Sequence, residues 1–320
     1  MLTYLVTGGC GFIGTHLCRA LLQRGDAVRV LDDLLTGSPA NLPAAVTLIQ
    51  GDVAAPGLVR KALAGVDGCF HLAAVASVER SNRDWLGSHR TNLTGTITVF
   101  EAAAAAGAIP VVYASSAAVY GDCPSLPLGE GSEIRPLSAY AADKIGCELH
   151  ARVASTVHHV PSVGLRLFNV YGPGQDPKSQ YSGVVSIFCE RLWRGEPIEI
   201  FGDGQQTRDF IFVADVVKAL LRAMDARSAG AVVFNVCTGR ATSVLELART
   251  IASLCGKNPE IRFRPERLGE VTHSYGDPTG ARQVLGLGTP TQLRIGLAET
   301  LAWLGGSSDA SAVVENMASF

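Results

Sequence analysis

Tyr140 and Lys144 stand four residues apart in the run Tyr140-Ala-Ala-Asp-Lys144, so on a helix they project from one face. An ammonium beside a phenol stabilises the phenolate, which can then take a proton from an alcohol. Upstream, at the end of an apolar run, stands Tyr113-Ala-Ser-Ser116, and the Ser116 hydroxyl can share that proton with a substrate oxygen. A tyrosine and a lysine at helical spacing are common on exposed helices. The elements around them decide whether the pair is chemical.

The first is a turn. The apolar run at residues 4–6 breaks into Gly8, Gly11 and Gly14 and then into a helical pattern. A buried strand, a turn free of side chains and a helix with open N–H groups suit a pyrophosphate. Gly8 permits the tight turn, Gly11 lets phosphate approach the backbone, and Gly14 lets the helix lie on the strand. With 35 glycines in 320 residues such a pattern also arises by chance. Context strengthens it, because the next apolar run ends in Asp32. An acid there accepts from both ribose hydroxyls and repels a 2′-phosphate, which favours NAD over NADP. The dinucleotide is expected along Gly8, Gly11, Phe12, Ile13 and Gly14, then Asp32 and Asp33, Asp52 and Val53, and Leu72, Ala73 and Ala74. Tyr140 and Lys144 reach its far end.

The composition is 47% hydrophobic and 18% charged, that of a globular chain with a sizeable core. A net charge of −2 gives no footprint for nucleic acid or a membrane surface. No apolar run reaches the ~18 residues of a spanning helix, and residues 2–6 are too short for a signal core. The eight cysteines form no C-x-x-C pair and no metal spacing, so no metal is expected and the chain reads as cytoplasmic.

Strands at 4–6, 27–32, 46–49, 67–72 and 109–114 alternate with helices at 12–24, 58–63 and 85–107. This alternation implies an α/β fold with a doubly wound parallel sheet of Rossmann type. Small residues Ala73 and Ala74, at the carboxyl end of the fourth strand, leave room for adenine or ribose. A cofactor domain is expected over 1–167, with 209–234 returning to it through strands at 210–212 and 232–234. A smaller substrate lobe takes 168–208 and 235–306, and residues 307–320 read as a mobile tail.

The motifs TGGCGFIG, ASSAAVYG and YAADK, with Asp32, resemble the extended short-chain dehydrogenase/reductase family of nucleotide-sugar enzymes. The resemblance runs on through RLFNVYGPGQDP (166–177), FGDGQQTRDFIFVADV (201–216) and PERLGEVTHSYGDPTGA (265–281). It implies that Ser116, Tyr140 and Lys144 are the catalytic trio. It also implies that Asn169 and Arg208 hold a uridine diphosphate, with Arg267 as a second diphosphate cation and Asn92 near the cofactor. Arginine suits a diphosphate because its planar fork bonds two oxygens.

Dehydratases and decarboxylases of this family carry an acid just before Val-Tyr-Gly, where this chain has Ala117 and Ala118. With only a hydroxyl and a phenol to move protons, the supported chemistry is oxidation and re-reduction of one alcohol. That is NAD-dependent epimerisation at carbon 4 of a UDP-hexose. The alternatives are a UDP-glucuronate 4-epimerase, or a dehydratase or decarboxylase of the same fold. By the resemblance, Ser274, three before Asp277, lines the wall facing the sugar's 2-substituent. A serine leaves room there for an N-acetyl group, so UDP-N-acetylglucosamine and UDP-N-acetylgalactosamine are expected substrates. Family members form homodimers through the helices at 85–107 and 138–154. Gly87, Ala141, Ala142, Gly146 and Ala151 are expected to allow close packing there.

Overall fold

The computed structural model describes residues 1–177, 183–226, 230–266 and 271–306. The expected tail at 307–320 and Arg267 lie outside the described residues. Strands β1 (Thr3–Thr7), β2 (Ala27–Asp32), β3 (Thr47–Gln50), β4 (Gly68–His71), β5 (Val111–Ser116) and β6 (Ser162–Leu167) come first. Between them run helices α1 (Phe12–Gln23), α2 (Pro56–Leu63), α3 (Val78–Arg83), α4 (Trp85–His89), α5 (Gly95–Ala105) and α6 (Ala139–His158). Four short strands follow: β7 (Asn169–Tyr171), β8 (Ile198–Phe201), β9 (Thr207–Arg208) and β10 (Phe210–Phe212). Then come β11 (Ala231–Val236), β12 (Thr242–Ser243) and β13 (Ile261–Arg264). The remaining helices are α7 (Val184–Arg194), α8 (Val213–Ala226), α9 (Val244–Leu254), α10 (Thr279–Leu285) and α11 (Leu293–Leu304).

Among the described residues the main sheet has seven strands in the order β11-β6-β5-β4-β1-β2-β3, with every pairing parallel. Leu5 and Val6 are both fully buried although neighbours on a strand face opposite ways. Leu5 enters the core under α2 and α5, and Val6 the core under α1 and α8. Helices on both faces therefore explain why the strands read as unbroken apolar runs. The chain leaves β1 for β2 and β3 on one side and returns to β4 on the other. That switch point opens a crevice at the strands' carboxyl ends. No helix among the described residues is long and apolar enough to cross a membrane.

Three expectations need correction. The strand at 210–212 does not rejoin the main sheet; β10 pairs in parallel with β7, and β11 occupies the edge beside β6. Side-chain alternation sends Ile211 into the main core and Phe210 and Phe212 into a second core among α7, α9 and α11. The segment at 85–107 is not one regular helix, because a π turn at Arg90–Thr94 separates α4 from α5. It is preceded by α3, which polar residues concealed and which Ser77 caps by accepting the Arg80 N–H. Last, of the five small residues expected to pack between subunits, Ala141 and Ala151 are buried inside the subunit and a Cβ on Gly146 would meet the Leu93 side chain, whereas Gly87 and Ala142 are exposed. The exposed apolar residues of α6 are Leu149, Val153 and Val157.

Candidate active site

The turn after β1 is as tight as the glycines allow. Gly8 sits at φ +70°, and a Cβ there would stand 2.7 Å from the Ala73 nitrogen. A Cβ on Gly14 would run into the Gly8 carbonyl, so α1 packs directly on the turn. Gly11 caps α1 without a side-chain acceptor, which leaves the first N–H groups of the helix open. Asp32 is buried at the end of β2. Its Oδ2 accepts the Cys10 N–H at 2.9 Å and its Oδ1 the Leu34 N–H at 2.9 Å. Burial raises its pKa, and those two backbone donors oppose the rise. Each oxygen keeps a second lone pair for a ribose hydroxyl.

A cleft of about 520 Å³ runs along this turn. Gly8, Gly11, Phe12, Ile13, Gly14, Asp32, Asp33, Val53, Leu72, Ala73 and Ala74 line it, as expected from their spacing. Thr36, Asn41, Gly174, Gln175 and Asp176 also line it, and no periodic signal pointed to them. The donor turn, the acid and the small-residue wall together fit a dinucleotide. Asp52 serves the rim, where its carboxylate caps Ala54 and pairs with Arg90 at 2.9 Å. Asn92 is fully buried and acts one layer behind. Its Oδ1 accepts the Val75 N–H at 2.8 Å and its amide N–H donates to the Val75 carbonyl. It fixes the cleft wall, and the π turn aims it there.

His71 supports the same wall. Ala73 donates to Thr7 Oγ1, which lies 2.7 Å from His71 Nδ1, and His71 Nε2 lies 2.9 Å from Thr96 Oγ1. Thr96 donates to the Asn92 carbonyl at 2.6 Å. Complete burial and the nearby Lys144 ammonium push the His71 pKa down to about 3, so the ring is neutral.

Tyr140 lies in the first turn of α6. Ser138 caps that turn, and α3 adds two acceptors: Asn82 Oδ1 for the Ala139 N–H and Ser81 Oγ for the Tyr140 N–H. Lys144 is buried, with Nζ 5.7 Å from the centre of the Tyr140 ring. It donates to the Ala114 carbonyl on β5 at 2.7 Å, which ties the helix to the serine strand. Ser116 ends β5 half-buried, and its hydroxyl accepts the Ala118 N–H at 3.1 Å. A buried cation, a phenol and a hydroxyl thus flank the carboxyl end of β5.

Beneath Ser116 lies a network that motif reading missed. Ser115 donates to Glu148 on α6, and Arg166 on β6 forks onto both Glu148 oxygens at 2.9 and 2.7 Å. Burial works against the Arg166 charge, but Glu148 and Tyr120 outweigh it and raise its pKa. Arg166 also donates to Tyr120, Tyr120 to Asn235, and Asn235 to the Leu128 carbonyl. Leu128 in turn exchanges backbone bonds with Tyr275 and Asp277.

Of the expected substrate residues, Arg208 and Ser274 meet at Thr207 and Asn169 bonds the neighbouring Asp209. The Thr207 carbonyl accepts from Arg208 Nη1 at 2.9 Å and from the Ser274 N–H at 3.1 Å. The Asn169 N–H donates to the Asp209 carbonyl at 2.9 Å, and the Asn169 side chain is exposed.

Residues 4–237 match the NAD dependent epimerase/dehydratase family. A UDP-glucose 4-epimerase of Mycolicibacterium smegmatis is 40% identical over 304 residues, covering 93% of this chain and 96% of the relative. The UDP-glucose 4-epimerase of Thermotoga maritima, solved with UDP-glucose, superposes with a TM-score of 0.92 at 34% identity. That match covers 95% of this chain and 99% of the other. A UDP-N-acetylglucosamine 4-epimerase from Methanobrevibacter ruminantium, solved with UDP-N-acetylmuramic acid, gives 0.90 at 33% identity, covering 95% and 98%. The chain belongs to the NAD dependent epimerase/dehydratase family.

Proposed function

We propose that this protein interconverts the carbon-4 epimers of UDP-hexoses, UDP-N-acetylglucosamine and UDP-N-acetylgalactosamine among them. One observation carries the choice within the family: Ser116, Tyr140 and Lys144 stand intact, and the turn after Ser116 begins Ala117-Ala118 with no acid. NAD bound in the cleft supplies a reversible hydride acceptor. Lys144 stabilises the Tyr140 phenolate, which takes the proton of the sugar's 4-hydroxyl and becomes the phenol, while the carbon-4 hydride leaves for the cofactor and Ser116 bonds the oxygen as it becomes a carbonyl. The 4-keto sugar turns over, and Tyr140 returns the proton as the other face is reduced. Elimination of water needs a further acid/base group, which the two alanines do not provide. Ser274 beside Arg208 leaves space for a 2-N-acetyl group.

The reading includes a homodimer formed over α5 and α6, where a groove of about 530 Å³ is lined by Ile97, Ala104 and Val153. It assigns the enzyme to the cytoplasm, where its eight cysteines stay reduced. One experiment tests the reaction. Purified protein is incubated with UDP-N-acetylglucosamine, UDP-glucose or UDP-glucuronate without added NAD and followed by proton NMR. The carbon-4 epimer of the N-acetyl sugar is expected. Accumulation of a keto product or stoichiometric NADH rejects epimerisation, and turnover of UDP-glucuronate alone rejects the substrate assignment.

A further inference from the structure

Under the three residues expected to hold the nucleotide sugar lies one fully buried carboxylate, Asp209. Its Oδ1 accepts the Thr238 N–H at 2.8 Å and the Thr238 hydroxyl at 2.6 Å. Its Oδ2 accepts the Gly239 N–H at 2.9 Å and the Gly276 N–H at 3.3 Å. Its carbonyl accepts the Asn169 N–H at 2.9 Å. Arg208 precedes it on the chain, and Ser274 stands two residues before Gly276. A single residue therefore joins the segments carrying Asn169, Arg208 and Ser274, together with the 238–239 turn.

Four donors converge on two oxygens, an arrangement only an ionised carboxylate satisfies; an amide or a protonated acid would point a donor at another donor. Burial raises the Asp209 pKa, and the bonds from Thr238, Gly239 and Gly276 oppose that rise. The carboxylate lines no part of the cofactor cleft. We propose that Asp209 is a positioning residue for the nucleotide sugar, setting the spacing of Arg208, Asn169 and Ser274 without touching substrate. The proposal rests on the nucleotide-sugar reading above. Displacing one recognition group by about 1 Å is enough to cost a large factor in binding or rate.

The test uses the full chain and two variants. Asp209→Asn keeps the volume and breaks the acceptor set, whereas Thr238→Val removes one donor and keeps its shape. UDP and NAD are titrated separately by calorimetry, and steady-state rates are measured with UDP-N-acetylglucosamine. For Asp209→Asn, UDP binding should weaken at least tenfold and KM should rise in parallel. NAD affinity should stay within twofold and kcat within threefold. Thr238→Val should move UDP affinity about threefold in the same direction, which decides the matter if the asparagine variant fails to fold. UDP bound equally by wild type and every folded variant overturns the role of Asp209, as does an equal loss of NAD and UDP affinity in Thr238→Val. A wild type that binds NAD but not UDP overturns the nucleotide-sugar reading, and this role with it.

Discussion

Replacing Lys144 by methionine removes a charge and keeps most of the stem. Lys144 is 3% exposed, and its ammonium lies 5.7 Å from the centre of the Tyr140 ring. At an effective dielectric of ~20, opposite unit charges at that distance attract by ~3 kcal/mol. Such burial leaves little room for salt to screen them. A factor of ten for each ~1.4 kcal/mol converts this to a roughly 100-fold slower proton transfer. The substitution also strips the Ala114 carbonyl of its 2.7 Å donor. An unpaired buried carbonyl costs about 1–3 kcal/mol of stability, so the variant should melt at a lower temperature. Initial epimerisation rates under saturating NAD, read by proton NMR, give the number. A rate within threefold of wild type would refute the dependence of Tyr140 on this cation.

Tyr140→Phe should slow turnover by at least about 10²–10⁴ while NAD still binds, since it removes the proton carrier and keeps the ring; retention of a tenth of the rate contradicts the assignment. Ser274→Tyr should lose the N-acetylated sugars and keep UDP-glucose, because overfilling a packed wall costs typically about 1–3 kcal/mol. Equal loss of both substrates would remove Ser274 from the wall. His71 gives a pH dependence. The unfolded ring binds a proton below its ordinary value of 6.5 and the folded ring only near 3, so stability falls as pH drops through that window. The slope is up to about 1.4 kcal/mol per pH unit. Urea unfolding of His71→Gln should be less pH-sensitive than wild type between pH 6.5 and 5, and parallel curves would exclude His71 as the source.

The sheet was legible because its strands are short apolar runs bounded by glycine and acid, and each crossover had a helical period. The Tyr140–Lys144 pair and the glycine turn were legible because their spacing is local, whereas Ser116 was read from its place at the end of an apolar run. Other features depend on partners far along the chain. Asn92 reads as a residue near the cofactor, and only the π turn reveals its bond to Val75 in the cleft wall. Tyr120 and Arg166 sit inside recognisable motifs, yet their work is to hold Glu148, Asn235 and the Leu128 segment, which no period encodes. Asp209 carries no sequence signal beyond its place after Arg208. The strand at 210–212 is apolar at every position, so its alternation between two cores was hidden.

That alternation restrains how the enzyme opens. Ile211 is committed to the core beneath the main sheet, and Phe210 and Phe212 to the second core among α7, α9 and α11. Val170 on the paired strand touches both clusters, as does Ile13 behind the glycine turn. Swinging one lobe from the other as a rigid body would unpack some of these side chains, at about 1.5–3 kcal/mol each. The joint therefore acts as a weld, and loop and side-chain motion at the cleft mouth disturbs less packing than a swing of the two cores. For the proposed epimerisation, a fixed joint favours completing both the oxidation and the re-reduction before release.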